Sequence, residues 1–203
     1  MEIGGVKQEL GHWWEKELPF PPAAHLAIGV GIFSLGTALG AFVWIPLPFT
    51  PVPLTLQTLF VLLSGAFLGS RGGAFAQGFY ILMGSLGLPV WAGGGAGLAR
   101  LWGPTGGYLL AFPLSAWVVG RMLEGEDSPS WTKIWAAFAL GSTVIYLLGL
   151  AQLSIWLHCD LKKAATLGVL PFLPGDLLKM ALASLLYRRG SRIWFACHSL
   201  RKG

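Results

Sequence analysis

Charge is what this sequence has least of. Only 11% of its 203 residues are Asp, Glu, Lys or Arg, against about 25% in an ordinary water-soluble domain. A soluble chain must enclose its core in polar surface. With 54% hydrophobic residues and a mean hydropathy of +0.64, there is too little polar surface to do so, and the bilayer is the natural solvent. Cysteine is equally scarce. Cys159 and Cys197 are too few for a disulfide framework, and the span count below puts them on opposite sides of the membrane, where they cannot pair. Chemistry-bearing motifs are missing too. The stretch "GGGAG" lacks the Lys-Ser/Thr ending of a phosphate-binding loop and no acidic strand follows, so ATP, if used, belongs to another subunit. There is no His-Glu-x-x-His helix and no Ser/His pair within an apolar run. An intramembrane aspartyl protease needs two span aspartates, and Asp176 stands alone. Nothing calls for a metal or a cofactor, and an enzyme is the weakest reading.

The net charge of +5 would suit nucleic acid. The positions argue otherwise. Arg188, Arg189, Arg192, Arg201 and Lys202 crowd the C-terminus just after an apolar segment, the usual place of cytosolic anchoring charges. No nucleic-acid motif accompanies them.

Six apolar segments are present: Ala23–Trp44, Leu54–Leu68, Gly73–Leu88, Thr105–Leu123, Trp131–Leu157 and Pro174–Tyr187, the last with "LGVLPF" as an upstream extension. Helices are expected, because backbone polar groups in lipid must be paired internally. The second and third segments are short and call for tilt, thinning or protein cover. With both termini inside, cytosolic stretches hold Lys7, Lys16, Arg71, Arg121, Lys133 and the five basic residues at the end. External loops hold only Arg100, Lys162 and Lys163. That asymmetry supports six spans with cytosolic termini in a multi-pass cell-membrane protein. Residues 1–22, with Trp13 and Trp14, have no signal-peptide pattern and read as an interfacial segment. Residues 23–189 form the membrane domain and residues 190–203 a basic tail.

The outer side then carries the unusual sequence. "IPLPFTPVPLT" has alternate prolines, which favour extended backbone and forbid helix. "GLPVWAGGGAGLARLWGPTGGY" has glycines that permit close approach to a ligand. The sixth segment begins at the same face with Asp176 and Lys179, three residues apart and therefore on one helix face. Charges inside a membrane usually face a cavity. The plainer alternative is an ion pair that only fixes the span. Thr55, Gln57 and Thr58 open the second span and serve either as caps or as ligand contacts. Gln77 and Tyr80 in the third have helix–helix hydrogen bonding as their bland explanation. Arg100 is placed to attract an anion or a headgroup, and Tyr108 and Trp91 to stack on a ring. In span one, small residues recur at Ala23, Ala27 and Gly31, then at Gly36 and Gly40. They suit packing within the bundle or docking of a partner membrane subunit.

"PLPFTPVPLTLQTLFVLLSGAFLG", "GLPVWAGG", "GPTGGYLLAF" and "FLPGDLLK" come in an order and at a spacing that resemble the BioY family, over residues 23 to 189. These are the biotin-specific substrate-binding components of energy-coupling factor transporters. The resemblance implies an all-α fold of six membrane helices, with a biotin pocket near the outer side covered by the loops after spans one and three. It implies a transmembrane coupling subunit that meets the small residues of span one, and two cytosolic ATPases that supply the energy. The family's Asp-x-x-Lys falls on Asp176 and Lys179, its Thr-x-Gln on Thr55 and Gln57, and its Gly-Pro-Thr-Gly-Gly-Tyr on Gly103 to Tyr108. The expectation is Asp176 on the ureido N–H groups of biotin and Lys179 or Arg100 on its carboxylate, with Lys179 on the ureido carbonyl as the exchange of roles. The rival readings are a component for another vitamin, such as thiamine or riboflavin, and a membrane-embedded enzyme.

Overall fold

The computed structural model describes residues 22–126 and 128–199, with side chains over 23–126 and 128–191. The expected interfacial segment with Trp13 and Trp14 lies outside the described residues, as do Arg201, Lys202 and the side chains of Arg192 and Cys197. The described residues form six helices and one two-stranded sheet.

Helix α1 is Pro22–Phe42. A short hairpin follows, β1 (Trp44–Ile45) against β2 (Leu54–Thr55), antiparallel, with the alternate prolines in its loop. Helix α2 is Gln57–Ser85, so Thr55, expected in the second span, sits on a strand instead. The extended backbone that the prolines impose persists to that point.

Helix α2 is not straight. Gly69 has φ +74° and ψ −178°, a conformation essentially restricted to glycine. There the chain turns back. Gln57 Nε2 lies 2.6 Å from the Tyr80 hydroxyl, whereas 23 residues of straight helix would separate them by about 35 Å. Farther along, Gln77 Nε2 reaches Ser64 Oγ at 3.0 Å. A Cβ on Gly73 would stand 2.7 Å from Gly65 Cα, so the two arms touch backbone to backbone. These arms, 57–68 and 70–85, are the second and third spans. Glu124 caps the second arm, accepting from the Ser70 backbone N–H at 2.6 Å.

Helix α3 is Gly106–Leu123 and α4 is Trp131–Trp156, capped by Ser130, whose hydroxyl accepts from the Lys133 N–H. The end of the chain differs from expectation. The stretch before Pro174 does not continue the sixth span as one straight helix. It contains a separate helix, α5 (Leu161–Gly168), started by Asp160, whose carboxylate accepts from the Lys163 N–H at 3.1 Å. Helix α6, Leu173–Ser199, is bent by 56° from α5.

Four helices individually have the length and hydropathy of a span, and the bent α5–α6 pair adds a fifth. The fold-back at Gly69 makes α2 count twice, which restores six. The short arms are tolerated because protein covers them. The apolar window of α2 is 61% buried, against 33% for α4. Around the bundle, Leu35, Ile155 and Leu178 are more than half exposed, as lipid-facing residues should be. Inside lie two clusters. One, with Tyr80, Trp91, Tyr108, Phe112, Ile145 and Phe172, lies beneath the loops. The other, with Leu62, Val119, Ile134, Phe138 and Tyr187, fills the opposite end.

Candidate binding site

The Gly-rich loop folds over the first cluster as two 3₁₀ turns, Ala92–Gly94 and Leu98–Trp102, with Trp91 and Gly95 bridged. Gly93, Gly94 and Gly97 all have positive φ, which explains why glycine fills these places. A Cβ on Gly93 would meet the Trp44 ring at 3.6 Å, so the Gly-rich and proline loops touch and form one cap. From below, Gln152 Nε2 on α4 anchors this loop through the carbonyls of Leu101 and Gly103, at 2.7 and 2.8 Å.

Beneath the cap is a cavity, open at its mouth, whose empty space including that mouth is about 730 Å³. Of the residues predicted to bind, Asp176, Lys179, Gln57, Thr55, Arg100 and Tyr108 all line it. They come from α6, the start of α2, β2, the Gly-rich loop and α3, brought together only by the fold. Tyr80 is not among the lining residues. It stands behind Gln57, accepting from its Nε2 and donating to the Val90 carbonyl at 3.0 Å. Thr55 donates to Gln57 Oε1 at 3.0 Å. The Gln57 amide is therefore clamped from both ends.

Asp176 and Lys179 are 9% and 7% exposed. Lys179 Nζ lies 2.6 Å from Asp176 Oδ1. It also donates to Thr58 Oγ1 at 3.2 Å, and Thr58 in turn stands 3.4 Å from Asp176 Oδ1. Tyr146 on α4 donates to Asp176 Oδ2. Asp176 lies in the first turn of α6, where the helix dipole favours an anion. An ammonium has three donors, and two are used here, which leaves one for a ligand. Both carboxylate oxygens retain lone pairs.

Tyr146 is the functional candidate that the sequence reading missed. It is one of only four tyrosines, and a hydroxyl inside a long apolar segment needs a partner; that was the available signal. Tyr108 donates to the Gly168 carbonyl at 2.8 Å. Its ring lies flush on Gly149, where a Cβ would stand 2.4 Å from Cδ1. Trp91, only 2% exposed, packs the same way on Gly84. Arg100 is held differently. It is an exposed cap residue whose Nη2 donates to the Ala92 carbonyl at 3.1 Å. It has no carboxylate partner among the described residues.

The small residues of α1 divide. Gly29, Gly36 and Gly40 face Leu68, Phe60 and the Leu56–Gln57 backbone. Ala23, Ala27 and Gly31 face outward and are exposed, and nothing lies within 4 Å of a Cβ built on Gly31.

A bundle of six membrane helices, capped at one end over a cavity with apolar walls and buried polar groups, defines a membrane protein that captures a small solute. A profile of the BioY family matches residues 16–196, and the chain belongs to that family. The "Biotin transporter BioY" of Thermotoga maritima is 42% identical over 162 residues, covering 80% of this chain and 93% of the relative. The protein of the same name in Rhodobacter capsulatus is 38% identical over 173 residues, covering 78% and 89%. In three dimensions the chain is similar to a crystal structure of the S-component for biotin from an ECF-type ABC transporter. That likeness has a TM-score of 0.78 at 26% identity and covers 84% of this chain and 92% of the other.

Proposed function

We propose that this protein is the biotin-capturing S-component of an energy-coupling factor transporter, a multi-pass membrane transporter subunit and not an enzyme. One observation carries the reading: an acid and a base, both buried, held one helical turn apart at the wall of a capped, mostly apolar cavity. Biotin has a ureido ring with two N–H donors and one carbonyl, then an apolar thioether ring and chain, then a carboxylate. A pocket for it needs an acceptor and a donor side by side, apolar walls, and a cation apart from them.

The roles follow from that order. Asp176 accepts from the ureido N–H groups, and the spare N–H of Lys179 donates to the ureido carbonyl. Because the two charged groups are in contact, they serve the same end of the ligand. Arg100, on the cap and without a carboxylate partner, takes the valerate carboxylate. Trp91, Phe112 and Tyr108 form the walls, and Gln57 adds a clamped amide. The outward Ala23, Ala27 and Gly31 of α1 offer close approach to a transmembrane coupling subunit, with two cytosolic ATPases behind it.

Isothermal titration of the purified protein with biotin tests this reading. The expected result is saturable one-to-one binding that excess thiamine or riboflavin leaves unchanged. Heat for either rival vitamin and none for biotin would reassign the pocket.

A further inference from the structure

At the opposite end from the cap, the hinge of α2 meets the end of α3 in a second hollow. It measures about 890 Å³ with its open side included and is lined by Leu68, Ser70, Arg71, Trp117, Arg121 and Glu124. Two guanidiniums share it with one carboxylate. That carboxylate is already engaged: Glu124 Oε1 accepts from the Ser70 N–H at 2.6 Å and from the Ser70 hydroxyl at 2.7 Å. Its other oxygen lies 3.8 Å from Arg121 Nη1, with both side chains open to the surroundings. Arg71 makes no hydrogen bond or ion pair among the described residues. The hollow is therefore net positive.

Its remaining walls are those of a membrane boundary. Trp117 precedes Arg121 by one turn on the same face of α3 and is 43% exposed. Leu68 adds an apolar surface beside it. At the same end, the Arg188 guanidinium lies 4.6 Å from the centre of the Trp131 ring, a second pairing of cation and indole of the kind found at the headgroup level. A soluble anion would gain nothing from Trp117 and Leu68. A lipid gains from both halves, because a phosphate fits two guanidinium forks and an acyl chain runs along an apolar wall.

We propose that this hollow binds the headgroup of an anionic phospholipid of the cytosolic leaflet. The phosphate lies between Arg71 and Arg121, and an acyl chain lies against Trp117 and Leu68. The site is separate from the biotin pocket and does not depend on what that pocket binds.

Native mass spectrometry of the full chain, released from micelles with equal phosphatidylglycerol and phosphatidylcholine, tests the proposal. The wild type retains phosphatidylglycerol preferentially. Arg71→Gln and Arg121→Gln each reduce that preference about fivefold, and the double variant abolishes it while biotin titration is unchanged. If the glutamine pair folds poorly, Arg71→Lys with Arg121→Lys keeps the charge and retains the preference. A double glutamine variant that keeps the preference overturns the proposal. So does inorganic phosphate that displaces the lipid as well as phosphatidylglycerol does, which marks a plain anion site. A double variant that keeps its lipid but no longer captures the coupling subunit also overturns it, in favour of a protein contact.

Discussion

At the scale of single residues, the pocket turns on how a buried acid and base are paired. Asp176 is held by Lys179, Thr58 and Tyr146, and each of these comes from a different place in the chain or a different helical turn. Removing one charge leaves the other buried and unpaired, which costs more than removing both. Asp176→Asn and Lys179→Met are each expected to weaken biotin binding by 1.5–3 kcal/mol, about ten- to a hundredfold, read by titration. The double variant should melt at a higher temperature than Lys179→Met alone. A double variant that melts lower would mean that the pair stabilises the fold outright. Tyr146→Phe should weaken binding by about 1 kcal/mol, roughly fivefold, since the carboxylate keeps its other partners. The pair itself was legible in the sequence, because two charges in a long apolar run stand out. Tyr146 was not, because a lone tyrosine in a span is ordinary until the fold places it beside a carboxylate.

At the scale of elements, the hairpin inside α2 decides how many times the chain crosses the bilayer. Its turn rests on Gly69, whose φ and ψ only glycine adopts without strain. A Cβ there would also stand 2.8 Å from Glu124 Oε1, the group that caps the second arm. Gly69→Ala should therefore lower stability by about 1–3 kcal/mol, seen as an earlier thermal transition with biotin binding retained in the folded fraction. An unchanged transition would show that the arms alone, through Gly65, Gly73 and Gln77, enforce the reversal. The six-span pattern was readable from hydropathy. Helix α5 was not, because its eight residues carry Lys162 and Lys163 and little apolar signal. It depends on the Asp160 cap and on Gly168 fitting against the Tyr108 hydroxyl, where a Cβ would stand 2.3 Å away.

At the scale of the whole molecule, the cavity lies under the cap at one end and one side of α1 is exposed. Ala27→Trp adds bulk at a position exposed among the described residues. It should leave biotin titration unchanged and abolish co-purification with the coupling subunit. Retained co-purification would place the partner on another face. Orientation has its own test. Cys159 follows α4 at the capped end and is a free thiol. In a Cys197→Ser background, a membrane-impermeant maleimide added to intact cells should label it from outside, and protection until the cells are opened would invert the topology.

The sequence alone determined the solvent, the run of apolar helical segments and the acid–base pair, since hydropathy and helical spacing are local properties of the chain. Only the tertiary structure decided that Gln57 is clamped by Tyr80 rather than sharing the cavity with it, that Tyr146 joins Asp176, and that the small residues of α1 split between an inward and an outward face. Those are contacts between segments far apart in sequence, and the packing of close glycine interfaces, not any local pattern, brings them within hydrogen-bonding distance.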